Sequence, residues 1–235
     1  LDIFQTLGAN QVSCYPLMTS PAVLRRMAGA MGVPDRRRLR QCYKAIGRRL
    51  CAGGFNPTSA WCFTRSGEGG DEYIATADNY VGAGSGAFSY LDGTLYTTTF
   101  SLAAYEQRIA RGLTGIVTRH QLCNTDRMRY ALLVRMFGLG LDREWARRHH
   151  GPGFFRRLWG ELLTLEVLGA ARRDTRGWRL TESGRYWLML MMAEFFQSVN
   201  TYRDAMRAQV AAEQTAVERT AQTHANQIHR IRINP

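Results

Sequence analysis

"YVGAGSGAFSYLDGTLY", Tyr80 to Tyr96, places glycines at positions 82, 84 and 86 ahead of an apolar–aromatic run and an Asp-Gly pair. Glycine costs backbone entropy, so a chain concentrates it where another group must approach the backbone or where φ is positive. The aromatic run reads as a strand, and Asp92-Gly93 as the turn that returns it through "TLYTTTF". The glycines do not form a dinucleotide fingerprint, which needs GxGxxG opening a helix, and they lack the Lys-Ser/Thr pair of a P-loop. Pattern alone favours relief of crowding between strand ends and a neighbouring loop over a ligand cradle.

Upstream, "LDIFQTLG" reads as the last turns of an amphipathic helix with Gly8 as its cap, and the first residue is Leu. The chain is therefore expected to begin inside a domain. "NQVSCYPLM" is a short β-rich run, followed by Pro21 and a loop or short helix to Gly32. Pro34 and Asp35 start a helix through "RRRLRQCYKAIGRRLCAGG", because Pro presets φ and the Asp carboxylate accepts orphan N–H groups. "FNPTSAWCF" is extended again. Helix, strand, helix, strand predicts a parallel α/β layer or barrel, with the glycine stretch at the end of its next strand. Ser101 caps a helix that Gly112 closes.

From Thr125 the pattern becomes helical. "TDRMRYALLVRMFG", "DREWARRHHG" and "FFRRLWGELLTLEVLG" predict three helices, "AARRDTRGWRLT" a hairpin, and Thr181 caps a long last helix. That order predicts a winged-helix-like module, with a boundary near Gly112 to Leu122. Beyond about Ala205 the Ala/Gln/Thr/Arg-rich tail reads as frayed helix or disorder. "YWLMLMMAEFF" is too short to span a bilayer and carries Glu194, so it reads as a buried helix.

With 235 residues and 45 % hydrophobic content the chain can bury a core of its own. A net charge of +12 points to an anionic partner, although Lys44 is the only lysine and so one-sided a basic composition can also reflect codon bias. Five scattered cysteines without a CxxC pair suit a reducing cytoplasm rather than a disulfide scaffold or zinc ribbon. His149-His150 closes a helix whose dipole favours cations, and His224 and His229 are poorly spaced for a metal, so no metal site is assigned. No catalytic set can be assembled.

In "SAWCFTR", strand alternation sends Trp61 and Phe63 to one face and Cys62, a small buried hydrophobe, to the other. Arg65 follows at the strand's end, where it could meet a carboxylate. A planar anionic substrate needs aromatic walls and fixed cations, a role open to Trp61, Phe63 and Arg65; packing of both aromatics under helices is the competing reading. Arg172, Arg173, Arg176 and Arg179 would suit a DNA-binding wing, but the preceding "LWGELLTLEVLG" is apolar and acidic where base-reading groups belong.

Taken together, "VSCYPLMTSP", "GAGSGAFSYLDGTLY" and "LTESGRYWL" resemble the C-terminal part of HemN-like radical SAM proteins, the oxygen-independent coproporphyrinogen oxidases and their relatives. "SAWCF", "DEYI" and "GSGAFSYLDGTLYTTTFSLAAY" most resemble the anaerobic haem-utilisation methyltransferases of the HutW/ChuW type, over roughly residues 1 to 203. The resemblance implies the back of a radical SAM β/α barrel over 1–115, a winged-helix-like helical domain over 116–203 and a tail over 204–235. It implies S-adenosylmethionine beside the glycine strand, with Met18, Gly84 and Phe88 against it, and a 4Fe-4S cluster held by a CxxxCxxC loop upstream of Leu1. The chain alone is then expected to be inactive. The implied whole enzyme forms a 5′-deoxyadenosyl radical, methylates and opens haem or a related tetrapyrrole, and draws electrons from a reduced flavodoxin- or ferredoxin-type donor. The alternatives are a coproporphyrinogen oxidase-like enzyme, a haem chaperone of the same fold, and a winged-helix nucleic-acid binder.

Overall fold

The computed structural model describes residues 7–32, 35–65, 78–205 and 208. The helix expected before Gly8, Pro34, "DEYI" and most of the tail lie outside the described residues.

Among the described residues the chain forms three small sheets with their connecting helices. Strands β1 (Gln11–Ser13), β2 (Asn56–Pro57) and β3 (Cys62–Thr64) form the first, in the order β1-β3-β2. Helices α1 (Pro21–Met31) and α2 (Arg36–Ala52) intervene. As the sequence suggests, Asp35 caps α2, its carboxylate accepting from the N–H groups of Arg37 (2.9 Å) and Arg38 (3.4 Å). The second sheet is β4 (Phe88–Leu91), β5 (Thr94–Thr98) and β6 (Ile116–Gln121), with α3 (Leu102–Ala110) between β5 and β6. The β4–β5 turn is the expected Asp-Gly pair, with φ 46° at Asp92 and 83° at Gly93, the two positive values of a type I′ turn.

The remainder runs α4 (Asn124–Phe137), β7 (Gly140–Asp142), α5 (Arg143–His150), α6 (Phe154–Arg157), α7 (Trp159–Val167), β8 (Ala171–Arg173), β9 (Gly177–Leu180) and a helix over 182–205. Its sheet has the order β7-β9-β8. Asp142 caps α5 through the N–H of Trp145 at 2.8 Å.

Two expectations are corrected. Every strand pair among the described residues is antiparallel, so the helix–strand alternation does not produce a parallel layer there. The connections through α1 and α2 are long enough for a parallel crossover, but β1 and β2 both flank β3 and run against it. Second, the boundary expected at 115/116 falls within one sheet, because β6 pairs with β5 from Thr94↔Gln121 to Thr98↔Ile116.

The two halves share a core. Ala60, Trp61 and Cys62 from the first sheet pack in one cluster with Met128, Leu132, Met136 and Phe137 of α4 and with Phe154, Leu158 and Trp178. The Ala60 N–H donates to the Phe137 carbonyl at 3.0 Å, joining the halves through backbone as well. The long helix is buried on one face, as read from "YWLMLMMAEFF", through Tyr186, Leu188, Met189, Met192 and Ala193. No helix among the described residues is long and apolar enough to cross a membrane.

Tyr43 of α2 locks these parts together. Its ring lies 5.8 Å from that of Tyr186, and its hydroxyl donates to the Ala60 carbonyl at 2.7 Å. Burial pushes the phenol up from 10.0 to about 12, opposed by Arg185. A raised folded-state value means that this contribution is complete below pH 10 and is lost as pH climbs toward about 12. Tyr43→Phe is expected to cost about 1 kcal/mol at neutral pH and to flatten the fall in stability across that alkaline window. Denaturant titrations at several pH values check both, and parallel pH profiles for the two proteins would refute the assignment.

Candidate functional site

The three glycines of the opening stretch meet three different demands. A Cβ on Gly82 would fall within 3.0 Å of the Phe88 carbonyl, so the chain is folded back on itself there. At Gly86, φ is +71° and a Cβ would lie 2.8 Å from the Phe100 ring. Gly84 differs: its φ is +99°, yet a Cβ would meet nothing within 4 Å, leaving an open face over a backbone conformation that glycine adopts without strain.

Thr98 and Thr99 hold this loop. The Thr98 hydroxyl donates to the Gly84 carbonyl at 2.7 Å and accepts from the Ala87 N–H at 2.8 Å. The Thr99 carbonyl accepts from the Gly86 N–H at 2.8 Å and from the Ser85 hydroxyl at 2.9 Å. A register shift between Thr97 and Thr98 bends β5 at this point, as bulges do next to loops. The only sequence trace of this device is the "TTT" run.

Met18 and Phe88 meet the same helix. The Met18 carbonyl accepts from the Asn200 side-chain amide at 3.1 Å, and the Ser20 hydroxyl donates to the Asp204 carboxylate. The Phe88 ring lies 6.5 Å from Phe195 and 6.1 Å from Phe100, which in turn lies 5.5 Å from Tyr202. Asn200 and Phe195 are five residues apart, about 7.5 Å along a helix at 1.5 Å per residue. At about 100° per residue, however, Phe195 and Tyr202 share one side of the helix and Asn200 and Asp204 the opposite side, so the glycine loop and the Met18 segment flank the long helix instead of meeting on one face. Sequence reasoning missed Phe195, Asn200, Tyr202 and Asp204, since nothing local marks a helix as the shared support of two distant loops.

Trp61, Phe63 and Arg65 are not brought to this place as a wall. Trp61 is 3 % exposed in the shared core, its ring 5.0 Å from Phe137, whereas Phe63 is 1 % exposed in a separate cluster with Leu50 and Phe55. The expected common face fails because Trp61 precedes β3, in a turn where its N–H donates to the Ser59 hydroxyl. Cys62 is fully buried beside Trp61, as expected of a small hydrophobe. Arg65 is exposed, its guanidinium 4.8 Å over the Phe55 ring.

Other titratable groups have structural explanations. Desolvation first, then Arg127, pushes the His150 imidazole down, against the preference of the helix end for a cation. His149 stacks on Trp145 at 4.6 Å and bonds its carbonyl at 2.9 Å. Burial and the Tyr80 hydroxyl push the Tyr130 phenol up, within a cluster of Tyr80, Tyr90 and Tyr130. Among the described residues, no three His, Cys, Asp or Glu side chains converge as metal ligands.

The arrangement is a HemN-like mixed α/β fold with small sheets. The chain is similar to the solved structure of coproporphyrinogen III oxidase (HemN) from Escherichia coli, described as a radical SAM enzyme, with a TM-score of 0.61 and 16 % identity. The match covers 84 % of this chain and 50 % of that one, so the chain spans half the length of the structure it resembles. No protein-family model and no curated protein matches the chain.

Proposed function

We propose that this chain is the C-terminal portion of a radical SAM enzyme that acts on a tetrapyrrole in the cytoplasm. The observation that carries this reading is the fold likeness to HemN over 84 % of the chain. Within it, the chain up to β6 corresponds to the back of a radical SAM barrel and the chain from α4 onward to a winged-helix-like domain, a reading supported by the order α4-β7-α5-α6-α7-β8-β9 with sheet order β7-β9-β8. The finer choice, haem methylation and ring opening over coproporphyrinogen oxidation, rests on "SAWCF" and "GSGAFSYLDGTLYTTTFSLAAY". The 4Fe-4S cluster belongs to a segment outside this chain, and a flavodoxin- or ferredoxin-type protein reduces it.

The glycine loop suits S-adenosylmethionine. The open face over Gly84 admits a ligand against the backbone, and Phe88 follows it in the chain and packs on the long helix, whose far side the Met18 segment meets. When bound at a reduced cluster, S-adenosylmethionine supplies radical and methyl-transfer chemistry. This chain's residues orient it and keep water away: Thr98 and Thr99 hold the loop open, and Phe88, Phe100 and Phe195 form an apolar floor. Of the substrate residues read from sequence, Arg65 remains available for a propionate, while Trp61 and Phe63 shape the sheet from which it projects.

The test uses the complete reading frame, reconstituted anaerobically and supplied with reductant, S-adenosylmethionine and either haem or coproporphyrinogen III. Loss of haem absorbance with formation of a methylated product is expected. Turnover of coproporphyrinogen III alone would favour the oxidase-like alternative, and tight haem binding without turnover the chaperone. Arg65→Ala is expected to raise the haem Kd about tenfold, the loss of one charge-assisted contact of about 1.4 kcal/mol. An Arg65→Ala enzyme that binds and consumes haem like the parent would remove this residue from the site.

A further inference from the structure

Helix α7 occupies the position of a recognition helix, yet what it exposes is apolar. Trp159 is 65 % exposed, Leu163 47 % and Val167 77 %, four residues apart along one helix face, and Leu168 continues the patch at 66 %. Large apolar side chains at this exposure and spacing mark an interaction surface rather than scattered surface residues.

Beside this face lies a cavity of about 370 Å³ between α5, α7 and the third sheet. Phe155 and Trp178, stacked with centroids 5.3 Å apart, form its aromatic wall, and Arg143, Arg147 and Arg173 its rim. The Arg143 and Arg173 guanidinium groups sit 5.6 and 5.4 Å from the Trp178 centroid. Among the described residues no carboxylate pairs with any of these three arginines. The one acidic side chain of the lining, Glu166, accepts from the Trp178 indole N–H.

We propose that the exposed face of α7 and the arginine-rimmed cavity beside it form a docking site for an acidic protein partner, engaged through a helix that carries an apolar stripe flanked by carboxylates. Trp and Arg around a concave apolar centre are the residues that dominate protein–protein binding. An amphipathic helix laid in this groove fills the cavity with an apolar anchor and brings its carboxylates to the three arginines. Nucleic acid fits less well, for duplex DNA offers phosphates and polar base edges to Trp159, Leu163 and Val167. A second copy fits less well too, because a two-fold interface sets the same arginine rim against itself.

The probe is a fluorescently labelled synthetic helix with leucines at i, i+3, i+4 and i+7 and glutamates on its flanks, titrated against the full chain. Saturable binding is expected, weakened about tenfold by Trp159→Ala and likewise by Arg147→Glu, and absent for a scrambled peptide of the same composition or a lysine-flanked version. Circular dichroism and melting curves check that both variants fold, and Leu163→Glu replaces either one that does not. Equal binding of the scrambled peptide, or of the parent peptide to Trp159→Ala, overturns the proposal. Two further results overturn it. One is duplex DNA displacing the peptide while binding Trp159→Ala normally; the other is a concentration-dependent dimer, seen by sedimentation, that Leu163→Glu dissolves.

Discussion

Trp61→Ala is expected to destabilise the chain by about 3–5 kcal/mol, the range for truncating a large buried aromatic. The indole packs edge-on against Phe137 of α4 and lies 6.2 Å from Tyr15, so the change opens a hole where the two halves meet. The surroundings are poorly able to close it. The Trp61 carbonyl accepts from the Cys14 N–H at 2.8 Å, and the neighbouring Ala60 N–H is tied to the Phe137 carbonyl. Against a total stability of about 5–15 kcal/mol for a typical domain, such a loss removes a large part of the margin. Urea denaturation should show a lower midpoint with an unchanged slope. A wall residue of an open site behaves differently, since exposed substitutions usually stay within about 0.5 kcal/mol. Superimposable unfolding curves would return Trp61 to the role first read from sequence.

Gly184→Ala is expected to cost about 3 kcal/mol, the upper part of the range for overpacking. In an ordinary helix this substitution gains about 1 kcal/mol, because alanine loses less backbone entropy. Here the added methyl group would lie within 3.0 Å of the Ala170 carbonyl and 2.8 Å from Leu180 Cδ1. Leu180 can swing aside. The carbonyl cannot, because it accepts the Thr181 N–H at 2.9 Å while the Thr181 hydroxyl caps the helix through the Gly184 N–H at 3.0 Å. Gly160→Ala in α7 is the internal control, since a Cβ there meets nothing within 4 Å and should raise stability by the ordinary amount, about 1 kcal/mol. Thermal melts of the two variants should therefore shift in opposite directions. A shared direction would show that Gly184 is not held by its approach to Ala170.

Local signals were legible because the groups that satisfy them lie a few residues away. Ser101 accepts from the Ala104 N–H, Asp35 and Asp142 cap their helices, and Asp92-Gly93 makes its turn whatever surrounds it. Long-range pairing was not legible in the same way. Runs of two to six residues carry too little pattern to say which neighbour they join, so β6 was read as a boundary and the first sheet as parallel. A bend over residues 58–61, held by the Ser59 hydroxyl, was enough to separate Trp61 from Phe63, because side-chain alternation holds only within a strand.

For the candidate site, the sequence by itself determined the materials: a glycine loop ahead of a hairpin, a helix rich in Met and aromatic residues, and a strongly basic chain. It also determined which backbone must bend, since only glycine accepts φ near +70° to +99° at little cost. Tertiary structure alone decided that Gly82 and Gly86 serve packing while Gly84 is left open. It alone carried Phe195 and Asn200 across more than a hundred residues to Phe88 and Met18. The physical reason is the range of the forces involved. Torsional preference and capping act within a turn of chain, whereas close packing and shared hydrogen bonds join whatever surfaces the fold brings into contact.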